Sequence, residues 1–242
     1  MKKFILFLLI LCPVFGFGQS YHSGIILPII DSLENAEKYC CVLSPIKGFT
    51  VYDNPNGKII GMLKRLGDPQ KDDQAHYKIY LLSKNKKIQV DQFREIQNDL
   101  FAINYTDSVD GFIKVLDTLK SHWLSVAELN RKGFKPVSWY NFMLSVSQQE
   151  LGFYANEPGL RLRKEPNANS EVIGSVRGDL FEIKLTGESS GQWNKVKVIK
   201  YKQNPCDSET STEENIEYKT EGWLKIIDNR GEPNLWRYTR GC

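Results

Sequence analysis

The chain has 242 residues, and its 32 lysines and arginines nearly balance its 29 aspartates and glutamates. Hydrophobic residues make up 41% and aromatic residues 12% of the sequence, which suffices for a packed core and excludes a disordered or collagen-like protein. The formal net charge of +3 is too small to predict nucleic acid or an anionic membrane as a partner.

Residues 1–18 have the pattern of a Sec-type signal peptide. Lysines at positions 2 and 3 precede an apolar run at 4–17, and Gly16 and Gly18 are small residues just before Gln19. The run is about 14 residues long, and a membrane-spanning helix needs about 20. We therefore predict cleavage before Gln19, no membrane span in the mature chain, and a secreted or periplasmic location.

Residues 19–39 and 40–135 are predicted to form an N-terminal helical segment and a first, divergent β-domain. The helix is expected over 31–38, which has helical composition and an Asp or Ser cap. Inside the β-domain the sequence predicts a strand at 77–82, a basic turn at 84–87 and a short helix at 91–100.

Residues 136–150 are predicted to connect this domain to a second one. The connector contains Trp139, Tyr140 and Phe142, and a flexible linker would not carry three aromatic side chains so close together. We therefore expect the connector to pack between the two domains.

Residues 151–242 are predicted to form a second β-domain with a polar insertion at 200–217. Apolar and charged residues alternate over 160–163, as a strand with one buried face requires. Five short strands separated by turn signals indicate a small barrel. The other predicted elements are strands at 172–176, at 181–185, from Trp193 onward and from Gly222 onward, turns at 178–179 and 187–191, and a solvated loop at 207–215.

The two predicted domains repeat a series of landmarks in the same order. A glycine and a proline of the first domain recur 111 residues later, and an Ile-Gly pair recurs 113 residues later, after a two-residue insertion. The matched positions are Gly48 with Gly159, Pro55 with Pro166, Gly61 with Gly174, Phe112 with Trp193, and Trp123 with Trp223. A chance match would not often keep this order, which favours an internal duplication.

The second domain resembles the bacterial SH3 family, called SH3b, in which a Gly-Leu-Asn-Val-Arg-like strand precedes a proline, a Val-Ile-Gly strand, a glycine turn, Trp-x-Lys-Val and Gly-Trp-Val. The residues that carry the likeness are Gly159, Leu160, Leu162, Arg163, Pro166, Val172, Ile173, Gly174, Gly178, Trp193, Lys195, Val196, Gly222 and Trp223. Arg161 departs from the usual asparagine, and Leu162 from the usual valine. In the first domain Tyr52 replaces the arginine, Phe112 the first tryptophan and His122 the last glycine.

The resemblance implies a mainly β protein, with two small SH3-like β-barrels in tandem, short helices and the aromatic connector. It also implies that ring faces beside the first long loop of each barrel are exposed. Such rings, with nearby arginines, would suit a glycan or a peptide, and a packing role is the alternative for each. The candidate ligand-binding residues are Tyr52, Phe112, Tyr154, Arg161, Arg163 and Trp193. Trp123 and Trp223 are predicted to be core residues.

SH3b domains frequently accompany NlpC/P60-type cysteine peptidases, which makes a catalytic cysteine and histidine the first enzyme hypothesis. Cys40 or Cys41 could pair with His76 or His122, but the sequence around the cysteines lacks the polar approach and following helix expected of that nucleophile. The sequence has no GxSxG, HExxH or P-loop motif. We therefore predict no catalytic centre and no cofactor, with a cysteine peptidase as the least favoured alternative.

Four cysteines remain after signal cleavage, and cysteines of exported proteins tend to pair. Four cysteines allow three pairings. A bond between the adjacent Cys40 and Cys41 would be strained, so we favour Cys206 with Cys242 and leave the first two unassigned. Their spacings match no zinc motif, and we predict no metal site.

The expected function is recognition of a cell-envelope ligand, either peptidoglycan and its stem peptides or an envelope protein. Two alternatives remain open, namely an adaptor or inhibitor that docks on an envelope hydrolase and a structural unit of a larger assembly. The acidic insertion at 207–215 slightly favours a protein partner, because wall binders often present a basic face.

Overall fold

The computed structural model is mainly β, in agreement with the predicted class. It describes residues 23–29, 42–43, 47–66, 78–84, 86–90, 93–97, 100–115, 121–147, 152–229 and 232–237. The strands are β1 (Gly24–Pro28), β2 (Val42–Leu43), β3 (Phe49–Tyr52), β4 (Ile59–Arg65), β5 (Ile79–Ser83), β6 (Lys86–Val90), β7 (Phe93–Gln97), β8 (Leu100–Tyr105), β9 (Asp107–Val109), β10 (Phe112–Val115), β11 (His122–Ser125), β12 (Phe134–Ser138), β13 (Phe153–Arg163), β14 (Val172–Ser190), β15 (Trp193–Tyr201), β16 (Ile216–Lys225) and β17 (Leu235–Arg237). The helices are α1 (Val126–Arg131), α2 (Trp139–Val146) and α3 (Thr212–Asn215). Within these ranges no helix has the length and apolar character needed to cross a membrane.

The first half of the chain is built around a seven-stranded sheet in the order β6-β5-β4-β3-β11-β10-β9. One face carries Phe49 and Val51 of β3, Leu63 of β4 and Leu124 of β11, which all belong to one buried core. The residues that alternate with them are more exposed, so the opposite face of this sheet looks outward.

The carboxylate of Glu128 ties helix α1 to strand β3 and forms a partly buried ion pair with Lys132. Glu128 Oε1 accepts hydrogen bonds from the Thr50 backbone N–H at 3.0 Å, the Thr50 hydroxyl at 3.1 Å and Lys132 Nζ at 2.6 Å. Lys132 Nζ also donates to the carbonyl oxygen of Gly48 at 2.6 Å. Burial alone would raise the pKa of Glu128, but the hydrogen bonds from Lys132 and Thr50 hold that pKa below its ordinary value.

A five-stranded sheet lies between the two cores of the protein. Its order is β12-β1-β8-β2, and β7 also pairs with β8. Neighbouring residues of β1 face opposite ways, since Ile25 packs in the core of the second half and Ile26 in the core of the first. Both faces of β1 are therefore buried, which explains its continuous apolar sequence.

Two predictions for the first half are wrong. The helical segment predicted over 19–39 contains strand β1, because a run that is apolar on both faces is buried by pairing with β12 and β8. The helix predicted over 91–100 contains strand β7, whose Phe93 pairs with Ile103 and packs its ring 6.0 Å from that of Phe101. The strand predicted over 77–82 is confirmed as β5, and the predicted basic turn runs into β6.

The second half is a sheet in the order β14-β15-β16-β13-β17 with an additional pairing between β13 and β14. Because β13 pairs with both β14 and β16, four strands close into a ring. The strands predicted at 172–176 and 181–185 are parts of the long strand β14, so the predicted turn at 178–179 is wrong. Gly178, with a φ of 68°, lets the chain bend there without leaving the sheet. The turn predicted at 187–191 starts only at Gly191, because β14 continues to Ser190.

The polar insertion is exposed, but the end of the loop predicted at 207–215 forms helix α3. Helix α3 begins with a capping box, in which the Ser211 side chain and Glu214 satisfy each other's backbone N–H groups. The following Asn215 is buried, and its side-chain amide makes two hydrogen bonds of 3.0 Å with the backbone of Gln203.

The aromatic connector is buried in the core of the second half. Trp139 and Phe142 of α2 are both buried there together with Ile25 of β1. The Trp139 ring meets the ring of Phe142 edge-on at 6.2 Å and that of Trp236 on β17 at 5.5 Å. The aromatic residues of the connector are therefore packing residues.

The two halves repeat the same strand register, including a register shift at the same position of the first strand pair. In the first half Tyr52 pairs with Ile59 and with Trp123, and Trp123 also pairs with Lys114. At the equivalent positions of the second half Arg163 pairs with Val172 and with Trp223, and Trp223 also pairs with Lys195. The same backbone geometry requires a glycine at one equivalent position of each half. Gly48 and Gly159 have φ values of 75° and 96°, and a Cβ on either would lie 2.7 Å from a carbonyl oxygen of the next strand.

Several predictions lie outside the described residues. They are the signal peptide 1–18, the helix at 31–38, and the residues Cys40, Cys41, His76 and Cys242.

Candidate functional site

Five outward positions of the second half form one surface, which we call the aromatic-basic face: Arg161, Arg163, Trp193, Lys195 and Trp223. Residues two apart on a strand share a face, as do residues directly opposite on neighbouring strands. Lys195 lies opposite Trp223, and Trp223 lies opposite Arg163. The residues that alternate with them point into the core.

Arg163 and Trp193 form the centre of this face. The guanidinium carbon of Arg163 lies 6.0 Å from the centre of the Trp193 ring, which is a cation-π distance. Arg163 Nη1 donates to the carbonyl oxygen of Ser170 at 2.6 Å, so the turn between β13 and β14 fixes the guanidinium beside the ring. Both side chains are half-buried, and Arg161 next to them is exposed.

A lysine paired with a glutamate and an apolar rim lie next to this pair. Lys195 Nζ donates to the two carboxylate oxygens of Glu188 at 3.0 and 3.2 Å, and this hydrogen bond raises the pKa of Lys195. Val172, opposite Arg163, is 46% exposed, and Ile173 is exposed as well. The face can therefore offer an anion a fixed guanidinium and offer an apolar or sugar group an aromatic ring.

The equivalent face of the first half is filled by its own aromatic side chains. Tyr52 and Phe112 stand where the second half has Arg163 and Trp193, and their rings pack edge-on at 5.5 Å. Phe112 is only 9% exposed. Thr50, in place of Arg161, donates its backbone N–H and its hydroxyl to Glu128. This face has no arginine to offer an anion.

Tyr154 does not belong to either face. It pairs with Trp236 of β17, and burial together with the charge of Glu95 raises its pKa. A cleft of about 540 Å³, lined in part by Trp236, lies next to this strand pair, and in it Arg94 Nη2 lies 3.5 Å from Glu232 Oε2. The structure thus groups Arg161, Arg163 and Trp193, groups Tyr52 with Phe112, and places Tyr154 elsewhere.

The two tryptophans that were predicted to be core residues differ. Trp123 is buried, but Trp223 is only partly buried and belongs to the aromatic-basic face. Sequence reasoning did not assign Trp223 or Lys195 to a site. Lys195 could have been assigned because it lies two residues after Trp193 on the same strand and therefore on the same face. Trp223 joins this face only through the pairing of neighbouring strands, which one sequence does not show.

The cysteine and histidine predictions are only partly covered by the described residues. Cys206 lies exposed in the polar insertion, and its pairing with Cys242 stays a prediction. His122 is buried on β11, opposite Val115. In the described part of the chain, no three His, Cys, Asp or Glu side chains come together in a way that could hold a metal ion.

Comparison with known proteins gives no relative, because no family model, no curated protein and no solved structure matches this chain. The resemblance to SH3b domains therefore stays a prediction from the sequence landmarks.

Proposed function

We propose that the protein is an exported, non-catalytic binding protein built from two SH3b-like modules, and that its second module recognises peptidoglycan through the stem peptide. The observation that carries this proposal is the contact of Arg163 with Trp193 on an open face that has an apolar rim.

The chemistry of a stem peptide suits this face. Its terminal carboxylate can accept charge-assisted hydrogen bonds from Arg163 or the exposed Arg161. Its aliphatic side chains can pack on the Trp193 ring and on Val172, which is 46% exposed. Because the guanidinium is already fixed by Ser170, little of its conformational entropy is lost on binding.

Among the described residues, only the second module has this set of side chains for the recognition. In the first module the equivalent positions are closed by the contact between Tyr52 and Phe112. We therefore assign ligand recognition to the second module and a supporting role to the first.

The proposal is tested by retention of the exported protein on purified sacculi, with soluble muropeptides as competitors and an envelope extract as a parallel sample. We expect retention that muropeptides abolish. Capture of one envelope protein without retention on sacculi would contradict the proposal and make the chain an adaptor.

Variants locate the binding surface. Trp193→Ala is expected to weaken retention about tenfold, since a cation-π and stacking platform contributes about 1–2 kcal/mol. Tyr218→Ala is the matched control, because Tyr218 is an exposed aromatic residue of the same half that lies outside the face. An equal loss in both variants would contradict the assignment of the site.

A further inference from the structure

The outward face of the seven-stranded sheet bears exposed apolar side chains. Ile59, at the start of β4, is 67% exposed, and Met62 on the same strand is 38% exposed. Met62 lies opposite Leu82 of β5, which in turn lies opposite Lys87 of β6, so these three side chains share the outward face.

Lysines surround these apolar residues. The set is Lys58, Lys64, Lys84 and Lys87. Lys58 and Lys64 flank the apolar residues along β4, and the other two lie at the turn between β5 and β6. Lys86 is the strand neighbour of Lys87 and faces the other way. The carboxylate of Asp53, five residues before Lys58, accepts from the side chain of Asn54 and the backbone N–H of Lys58, so it caps its own turn. We call this surface the lysine-rimmed face.

The second half differs at the positions equivalent to this surface, although it repeats the underlying strands. Its equivalent of Met62 is Ser175, and it has no counterpart of the β5 and β6 hairpin. The lysine-rimmed face therefore belongs to the insertion that distinguishes the first half. A whole-chain charge of +3 conceals this local concentration of lysines.

We propose that the lysine-rimmed face docks on the surface of a lipid bilayer that contains anionic phospholipids. Lipid phosphates would meet the lysine ammonium groups, while Ile59 and Met62 would enter the boundary between headgroups and acyl chains. In such a bilayer the negatively charged phosphates lie directly above the apolar acyl chains. A surface with lysines around exposed apolar side chains is complementary to this arrangement. A protein partner would need carboxylates on several sides of an apolar patch.

Vesicle co-sedimentation of the exported protein tests this proposal. We expect binding to vesicles of phosphatidylglycerol and phosphatidylcholine, no binding to pure phosphatidylcholine, and weaker binding as the salt concentration rises. Absence of binding to the anionic vesicles, or equal binding to both kinds, would overturn the proposal. An acidic protein as the true partner would give the first of these results.

Matched variants show which surface binds the vesicles. Each variant and its control are made in the full chain, so any binding by other segments is the same in both. The double variant K64Q/K87Q is expected to weaken vesicle binding about 30-fold, since each lysine near an anionic surface contributes about fivefold. K197Q/K219Q, two exposed lysines of the second half, is the control and should bind as the unmodified protein does.

A second pair of variants tests the apolar part. Ile59→Ser should weaken vesicle binding several-fold, and Val172→Ser, at the equivalent register position of the second half, should not. Equal losses in a variant and its control would overturn the proposal. Retention on sacculi depends on the other half, so it distinguishes failure of this proposal from failure of the proposed function.

Discussion

Two asparagines of the second half are buried, but the side-chain amide of only one of them is fully hydrogen-bonded. Asn194 on β15 is 3% exposed, and its Nδ2 has no hydrogen-bond partner among the described residues. Asn215 is 2% exposed, and its amide bonds the backbone of Gln203 in both directions. At the position equivalent to Asn194, the first half carries Ile113 in its core.

The same substitution should therefore have opposite effects at the two positions. Asn194→Val relieves an unpaired amide whose burial costs about 1–3 kcal/mol, while the larger side chain costs up to about 1 kcal/mol in packing. We expect the free energy of unfolding to rise by about 1 kcal/mol. Asn215→Val leaves the N–H and the carbonyl of Gln203 unpaired, and we expect a loss of about 3 kcal/mol.

Denaturant unfolding of both variants and the unmodified protein measures these differences. Thermal unfolding provides a second measure, because a change of about 1 kcal/mol shifts the Tm by about 2–4 °C in a protein of this size. A loss of stability in Asn194→Val as large as that in Asn215→Val would refute the reasoning, since the Asn194 amide would then have a partner in the folded protein.

Three further predictions concern a charge, a turn and a disulfide. Glu128→Gln should lower the free energy of unfolding by about 2 kcal/mol at neutral pH, because it removes charge-assisted hydrogen bonds. Those bonds lower the folded-state pKa of this carboxyl, so the loss should shrink as the pH falls through the lowered pKa, which unfolding over a pH series measures. In thermal unfolding, Gly159→Ala should cost about 3 kcal/mol and Gly178→Ala about 1 kcal/mol, because only a Cβ at Gly159 meets a carbonyl oxygen at 2.7 Å. Mass spectrometry of unreduced peptides should show Cys206 linked to Cys242.

Each of these predictions has a contradicting result. A pH-independent effect of Glu128→Gln would mean that its charge is not held by Lys132 and Thr50. Equal losses of stability at the two glycines would mean that the positive φ alone, and not the contact of a Cβ with a carbonyl oxygen, sets the cost. A peptide linking Cys206 to a different cysteine would replace the preferred pairing.

The duplication was predictable because its landmarks are set by local geometry. Gly48 and Gly159 are fixed by positive φ and a nearby carbonyl oxygen, which no other residue accommodates. The change of offset from 111 to 113 residues falls in the turn that closes with Asp53 and Lys58 in one half and Lys164 and Glu171 in the other.

The elements that were predicted wrongly depend on distant partners. Strand β1 is buried on both faces only because β12 and β8 flank it between two cores, and its own sequence does not contain that information. Strand β7 likewise takes its conformation from the pairing of Phe93 with Ile103. Composition over 91–100 favours a helix as readily as a strand.

Three residues of the candidate site were predictable from the sequence, namely Arg161, Arg163 and Trp193, but their grouping with Lys195 and Trp223 was not. Arg163 and Trp193 are neighbours because β15, β16 and β13 are adjacent, and both positions were assigned from the sequence landmarks. Tyr154 is separated from them by the pairing of its strand with β17, a long-range register that no local pattern shows.

An exchange between the two halves tests the central claim most directly. The double variant R163Y/W193F gives the second half the residues that pack as Tyr52 and Phe112 in the first half, so it should keep the fold and the Tm. We predict that its retention on sacculi falls to the background level while its unfolding is unchanged. Full retention by this folded variant would contradict the assignment of ligand recognition to the aromatic-basic face.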